Sequence, residues 1–237
     1  MFLPLLYELV TGAASTEEVS PSYESLLKSS RVNFVQGKVD TVDFNTRSIS
    51  LIDGQGERIP DISYDQLVIA AGAQARLEVP GASENAIPFY TAKDAYTLQL
   101  KLRAAIADAV KDGREVVRVA VVGGGYSGVE TATSIAEYLG NSKSVVSLVD
   151  RNSKVMISSP DFNRKSAEKA LLSYGISVNS NTDVKEVLTN GLVLENTIDK
   201  EIFEMPADLV IYTAGMKSSD LVESLQLEKV FLVLSLF

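Results

Sequence analysis

The sequence has 237 residues, 46% of them hydrophobic, and carries 22 Lys and Arg against 31 Asp and Glu, for a net charge of −9. That apolar content supports a sizeable core in one large or two small domains, and the negative charge argues against nucleic acid or an anionic membrane surface as an electrostatic partner. Cysteine and histidine are absent, so disulfide scaffolds, redox dithiols, Ser-His and Cys-His nucleophiles and a metal site built on thiolate or imidazole drop out, and a bound cofactor is the best carrier of chemistry.

Along the chain, MFLPLL is a short apolar start without the basic residues of a signal peptide, and no transit peptide is read from it. No apolar run approaches the ~20 residues of a spanning helix, so no transmembrane segment is expected. A Thr11-Gly12-Ala13 break precedes a predicted helix from Ser20 or Pro21 to Lys28. From Arg31 the hydrophobic period falls towards two, predicting strands at Val32–Val42, Ser48–Ile52 and Arg58–Ile59. Tyr64–Ala71 reads as a further strand ending in Gly72, followed by a Val79-Pro80-Gly81 turn.

Thr91-Ala92-Lys93-Asp94 is a capping box that opens a long helix. Its apolar face is Ala95, Leu98, Leu102, Ile106, Ala109 and Val110, and Gly113 stops it. Val119–Val122 is then an apolar β-branched run suited to a parallel strand buried on both faces. Gly123, Gly125 and Gly128 follow at G-x-G-x-x-G spacing. That pattern gives a tight turn, close approach of backbone N–H groups to a pyrophosphate, and tight helix–strand packing. Small and apolar residues at Gly128, Ala132, Ile135, Ala136 and Leu139 make the helix stripe, and Gly140 with Asn141 ends it. The strand Ser144–Val149 ends at Asp150, whose carboxylate is placed to accept hydrogen bonds from an adenosine ribose. Arg151 is open to two readings, a guanidinium for the 2′-phosphate of NADPH or a solvated surface residue. NADH is favoured and NADPH stays open.

Beyond this unit, Ser159 is the expected N-cap of a helix with Pro160 at its first position and a stripe of Ala167, Ala170, Leu171 and Tyr174. Ile176–Val178 begins a strand, Asn190-Gly191 marks a hairpin between Val184–Leu188 and Leu192–Leu194, and Ala207–Ala214 is a final buried strand ending at Gly215. The predicted class is α/β: a Rossmann-like βαβ dinucleotide-binding unit carrying an antiparallel meander, preceded by a separate β-rich piece.

Taken together, YDQLVIAAG, the Val79-Pro80-Gly81 turn, the capped helix, VAVVGGGYSGVE, the acid-ended strand and ADLVIYTAG resemble the flavoprotein reductases with two dinucleotide-binding domains. FLPLLYELVTG and QGKVDTVDF are similar to the type II (alternative) NAD(P)H:quinone oxidoreductases, and among them to the plant organellar C1-type. The resemblance implies an incomplete FAD/NAD(P)-binding-type domain beside the Rossmann-like βαβ NAD(P)H-binding domain, with boundaries at 1–88 for the partial FAD-binding piece, 89–216 for the NAD(P)H-binding domain and 217–237 for the return towards the first. It implies FAD on one domain, NADH or NADPH on the other, and hydride passing from nicotinamide to flavin and on to a quinone. It implies a peripheral membrane association in a plastid or mitochondrion, and it allows a homodimer.

Carried over by position, Gly123, Gly124, Gly125, Tyr126, Ser127 and Gly128 form the pyrophosphate loop, with Asp150 and Arg151 at the ribose. Ala214 and Gly215 line the nicotinamide side, and Ala71 and Gly72 end an echoing strand taken as cofactor-binding. Glu130 matches the acid of the family's G-V-E and is the candidate catalytic residue near the nicotinamide or flavin. A carboxylate placed against the helix N-terminal dipole is the equal alternative. No glycine fingerprint precedes Phe2, and VFLVLSLF departs from the family's continuation, so the chain reads as truncated at both ends. Two functions are therefore carried: an FAD-dependent NAD(P)H:quinone reductase, or a catalytically impaired NAD(P)H-binding or interaction fragment of one.

Overall fold

The computed structural model describes residues 5–114, 116–140 and 144–225. The expected stop at Asn141, the first residues of MFLPLL and the whole of VFLVLSLF lie outside the described residues. In chain order the elements are α1 (Leu6–Thr11), α2 (Thr16–Val19), α3 (Tyr23–Leu27), β1 (Lys38–Asp43), β2 (Ser48–Ile52), β3 (Arg58–Ser63), β4 (Ala73–Ala75), α4 (Ala82–Asn85), β5 (Ala86–Pro88) and α5 (Ala92–Lys111). They continue as β6 (Val117–Val122), α6 (Tyr126–Leu139), β7 (Ser144–Val149), α7 (Asp161–Ser173), β8 (Ser177–Asn179), β9 (Thr182–Leu188), β10 (Gly191–Asn196), β11 (Ile202–Pro206), β12 (Leu209–Tyr212), β13 (Met216–Ser218) and α8 (Asp220–Ser224).

By their contacts the described residues form two compact units, 5–26 with 75–216 and 27–74 with 217–225. The first is built on a five-stranded sheet of order β5-β12-β6-β7-β8, parallel throughout. The β6–α6–β7 crossover supplies its central pair, and Val119, Val121, Leu148 and Ile211 are fully buried within it. Apolar residues on both faces of these strands are what parallel sheets covered on two sides require. One face is covered by α5, α6 and α7 in a core that includes Leu98, Leu102, Ile135 and Leu171. The other packs on the meander β9-β10-β11, where Val187, Leu192 and Leu194 meet Ala120, Val122 and Val210.

The capping box forms as the sequence predicts. The Thr91 hydroxyl accepts the Asp94 N–H at 3.1 Å, and the Asp94 carboxylate accepts the Thr91 N–H at 2.8 Å. The expected α5 face holds at Ala95, Leu98, Leu102 and Ala109 and fails at Val110. Val110 is 73% exposed while Ala105 and Ala109 are buried, because the buried face runs through Leu98, Leu102, Ala105 and Ala109 and leaves Val110 about 100° round the helix from Ala109. Pro160, and not Ser159, occupies the N-cap of α7, with no side-chain cap. The Asn190-Gly191 hairpin closes with Leu188 opposite Gly191, as expected.

The packing also divides the stretch 1–88 that the sequence reading takes as one piece. Leu6, Leu9 and Val10 of α1 are buried in the core of the first unit, and the Gln99 side-chain amide on α5 donates to the Leu9 carbonyl at 3.0 Å. An amphipathic turn buries its apolar face where one is offered, at roughly 2 kcal/mol per fully buried leucine.

The second unit is an antiparallel sheet of order β1-β2-β3. Two expectations fail here. Of the predicted strand Val32–Val42 only the part from Lys38 pairs. Tyr64–Ala71 is not a strand, and Val68 is 87% exposed. An apolar run becomes a strand only when a neighbour accepts its hydrogen bonds, and no described strand pairs with 64–72.

Candidate active site

A cleft of about 680 Å³ opens at the carboxyl ends of β6, β7 and β12, where ligands of open α/β sheets bind. Its floor is the glycine turn between β6 and α6. Gly123 has φ +111°, a conformation that L side chains rarely adopt, and a Cβ there would meet the Thr213 hydroxyl at 2.8 Å. Gly128 lies against the turn so closely that a Cβ would meet the Gly123 carbonyl oxygen at 1.7 Å. Around Gly125, in contrast, a Cβ would meet nothing within 4 Å. The two outer glycines are therefore required by packing, and the middle one leaves open space at the N-terminus of α6, where backbone N–H groups favour an anion.

Asp150 follows β7 and is 7% exposed. Its Oδ2 accepts the Gly124 N–H at 2.5 Å, and its Oδ1 accepts both the Asn152 N–H at 2.7 Å and the Asn152 amide at 2.9 Å. The acid that the sequence assigns to a ribose is thus also a brace for the glycine turn, which sequence spacing does not reveal. Arg151 is exposed and lines the same cleft.

The wall over β12 is Tyr212, Thr213, Ala214 and Gly215. Thr213 ties it to the glycine turn, donating its N–H and its hydroxyl to the Val122 carbonyl at 2.9 and 2.8 Å. Tyr90 ties its far side, with its hydroxyl 2.7 Å from the Thr213 carbonyl and 3.0 Å from that of Gly215. Burial raises the Tyr90 hydroxyl to about 12, so it serves as a proton donor. Arg76, Glu78, Asp183 and Lys185 also line the cleft. None of these side chains, nor Tyr90 or Asn152, is marked by a motif, while Thr213 falls in ADLVIYTAG.

Of the expected loop residues, Gly123, Gly124 and Gly125 line the cleft, as do Asp150, Arg151, Ala214 and Gly215. Tyr126 and Ser127 begin α6, where the Tyr126 hydroxyl accepts the Asn163 amide at 2.9 Å. Glu130 lies one turn further on and is exposed. The half-buried Tyr7 of α1 hydrogen-bonds towards Ser127 and Glu130, and burial is the main cause that raises its hydroxyl above the ordinary tyrosine range. Ala71 and Gly72 belong to the second unit, in the unpaired stretch 64–72. Among the described residues no group of acidic side chains could hold a metal ion.

A parallel sheet covered by helices on one face and an antiparallel meander on the other, with a glycine turn and an acid at the next strand end, defines a dinucleotide-binding fold. The chain belongs to the pyridine nucleotide-disulphide oxidoreductase family, whose model matches residues 1–230. It is 36% identical over 229 residues to the demethylphylloquinone reductase NdbB of Synechocystis sp., covering 96% of this chain and 54% of that protein. It is 34% identical over 238 residues to the alternative NAD(P)H-ubiquinone oxidoreductase C1, chloroplastic/mitochondrial, of Arabidopsis thaliana, covering 92% and 45%. In fold it is similar to the NDH2 of Plasmodium falciparum in complex with NADH, with a TM-score of 0.86, 21% identity, and coverage of 94% of this chain and 49% of that one. The chain spans about half the length of the curated relatives it matches. These likenesses bear out the family resemblance and the α/β fold. The lack of cysteine means that this sequence supplies no redox dithiol of its own.

Proposed function

We propose that this chain binds NAD(P)H in the cleft over Gly123–Gly128, as the nucleotide-binding portion of an FAD-dependent NAD(P)H:quinone oxidoreductase. The observation that carries the reading is the contrast within one turn: open space over Gly125 and none over Gly124 or Gly128. Open space recurs at other turn glycines such as Gly54 and Gly113, but Gly125 is the one at the N-cap of α6 and on the floor of the cleft. The names of the relatives, reductases of demethylphylloquinone and ubiquinone, support a quinone as the final acceptor. They also support a plastid or mitochondrial setting, and no described helix is long and apolar enough to cross a membrane, which accords with peripheral association. A homodimer belongs to the same reading.

In this reading residues 89–216 are the NAD(P)H-binding domain, with 5–26 and 75–88 packed in the same unit, and 27–74 with 217–225 belong with the flavin side. Backbone N–H groups at the start of α6 hold the pyrophosphate, Asp150 faces the adenosine ribose with Arg151 beside it, and Thr213–Gly215 shape the nicotinamide end. Glu130 stands one turn into α6 as a carboxylate able to hold or pass a proton near the reacting ring. FAD, when bound in the whole protein, would accept the hydride. The described residues offer a single glycine cradle between strand and helix, at Gly123–Gly128, and the nicotinamide nucleotide takes it. They do not fit a second pyrophosphate.

A second reading, a nucleotide-binding module without turnover, is favoured by residues 27–74, where Leu51 is the one buried hydrophobic side chain among those described. The test that separates the two is the flavin absorbance of the purified chain together with NADH-dependent reduction of a soluble quinone analogue in the presence of added FAD. Binding of NADH without turnover is the result expected of the 237-residue chain. Robust turnover with stoichiometric FAD rejects the module reading, and absence of any nucleotide binding rejects both.

A further inference from the structure

The geometry points to Tyr90 as a positioning residue for the nicotinamide end of the cleft, acting through the carbonyls of Thr213 and Gly215. The inference rests on the NAD(P)H reading above. Tyr90 precedes the N-cap of α5, and its own N–H donates to the Asp94 carboxylate at 3.1 Å beside the Thr91 N–H at 2.8 Å. The capping box therefore fixes its backbone. From that anchor the hydroxyl crosses to the turn beyond β12, where it lies 2.7 Å from one carbonyl and 3.0 Å from the other. One proton is shared between two acceptors, so the hydroxyl bridges the turn and sets its shape.

Gly215, at φ +76°, gives that turn a soft point. Backbone ties at this turn include Thr213 to Val122 at 2.9 Å and Arg76 to Gly215 at 3.3 Å. The strand order then says which end of a ligand feels the turn. Asp150 ends β7, the glycine turn ends β6, and β12 lies on the opposite side of β6 from β7. A dinucleotide with its adenosine ribose at Asp150 and its pyrophosphate at the turn extends its other half over β12. Tyr90 thus governs the nicotinamide half, and the adenosine half lies beyond its reach.

The test compares NADH with ADP-ribose, which lacks the nicotinamide, on the full chain and its Tyr90→Phe variant. The phenyl ring keeps the packing and deletes only the hydroxyl. NADH affinity is expected to fall by about fivefold to tenfold, the loss of one partly buried hydrogen bond, with ADP-ribose affinity changed by less than about twofold. In the unmodified chain, NADH is expected to slow amide exchange over residues 213–216 and ADP-ribose to leave it unchanged. That second measurement decides the matter should the variant fold poorly. Equal losses for both ligands, unchanged NADH affinity, or equal slowing of exchange by both ligands would overturn the role of Tyr90 while leaving the nucleotide site standing. If the unmodified chain binds neither ligand, the nucleotide reading fails and this inference falls with it.

Discussion

The Asp150 carboxylate accepts the Gly124 N–H at 2.5 Å, so the end of β7 and the floor of the nucleotide cleft are one hydrogen-bonded piece. With Oδ1 taken by Asn152, Asp150 meets three internal donors before any ligand arrives. Asp150→Ala is expected to destabilise the chain by about 1–3 kcal/mol, because buried donors lose their acceptor. It also removes the charge opposing a 2′-phosphate, so the preference for NADH over NADPH should narrow or reverse. Thermal melts and paired titrations check both. A variant with unchanged stability and an unchanged NADH to NADPH ratio would show that Asp150 neither braces the turn nor reads the ribose.

Neighbouring glycines should respond in opposite ways. A Cβ at Gly124 would sit 2.1 Å from the buried Asp150 carboxylate, and one at Gly128 would sit 1.7 Å from a backbone carbonyl. Gly124→Ala and Gly128→Ala should each lower the melting midpoint by several degrees, the shift that a loss of roughly 1–3 kcal/mol gives in a chain of this size. Gly125→Ala should leave it unchanged, since nothing lies within 4 Å. If all three variants melt alike, the close packing of the turn is wrong.

How much of this is legible in the sequence depends on how far apart the interacting residues lie. The glycine turn, the Thr91 capping box and the Asn190-Gly191 hairpin are local, and their chemistry is written in a few adjacent residues. The braces are not local. Tyr90 meets Gly215 across 125 positions and Asp150 meets Gly124 across 26, and no periodicity reports such pairs. Tyr64–Ala71 has the composition of a strand but none of the pairing, which depends on a neighbour and not on the stretch itself. Ser159 is a favourable N-cap by residue type, yet Pro160 takes the position, since the approach of the chain decides which residue turns into the helix.

Alkaline pH should weaken the fold through its buried tyrosines. Burial raises the Tyr90 hydroxyl from 10.0 to about 12, and the hydroxyls of Tyr7 and Tyr212 are raised, also chiefly by burial. Above about pH 10 the unfolded chain releases these protons while the folded chain keeps them. The unfolded state then binds fewer protons, so stability is complete below about pH 10 and is lost as pH rises towards the folded values. The melting midpoint should be flat into mild alkali and fall beyond it, less steeply in Tyr90→Phe. An identical slope in the variant would remove Tyr90 from this account.

The most direct measurement is a titration of NADH fluorescence against the unmodified chain and Gly125→Val. Gly125 has an extended backbone that valine can adopt, so circular dichroism and the melting midpoint should match, while the branched side chain fills the space into which the pyrophosphate must come. The account predicts saturable binding by the unmodified chain and its loss in the variant. No binding by the unmodified chain, or equal affinity in both, would contradict it.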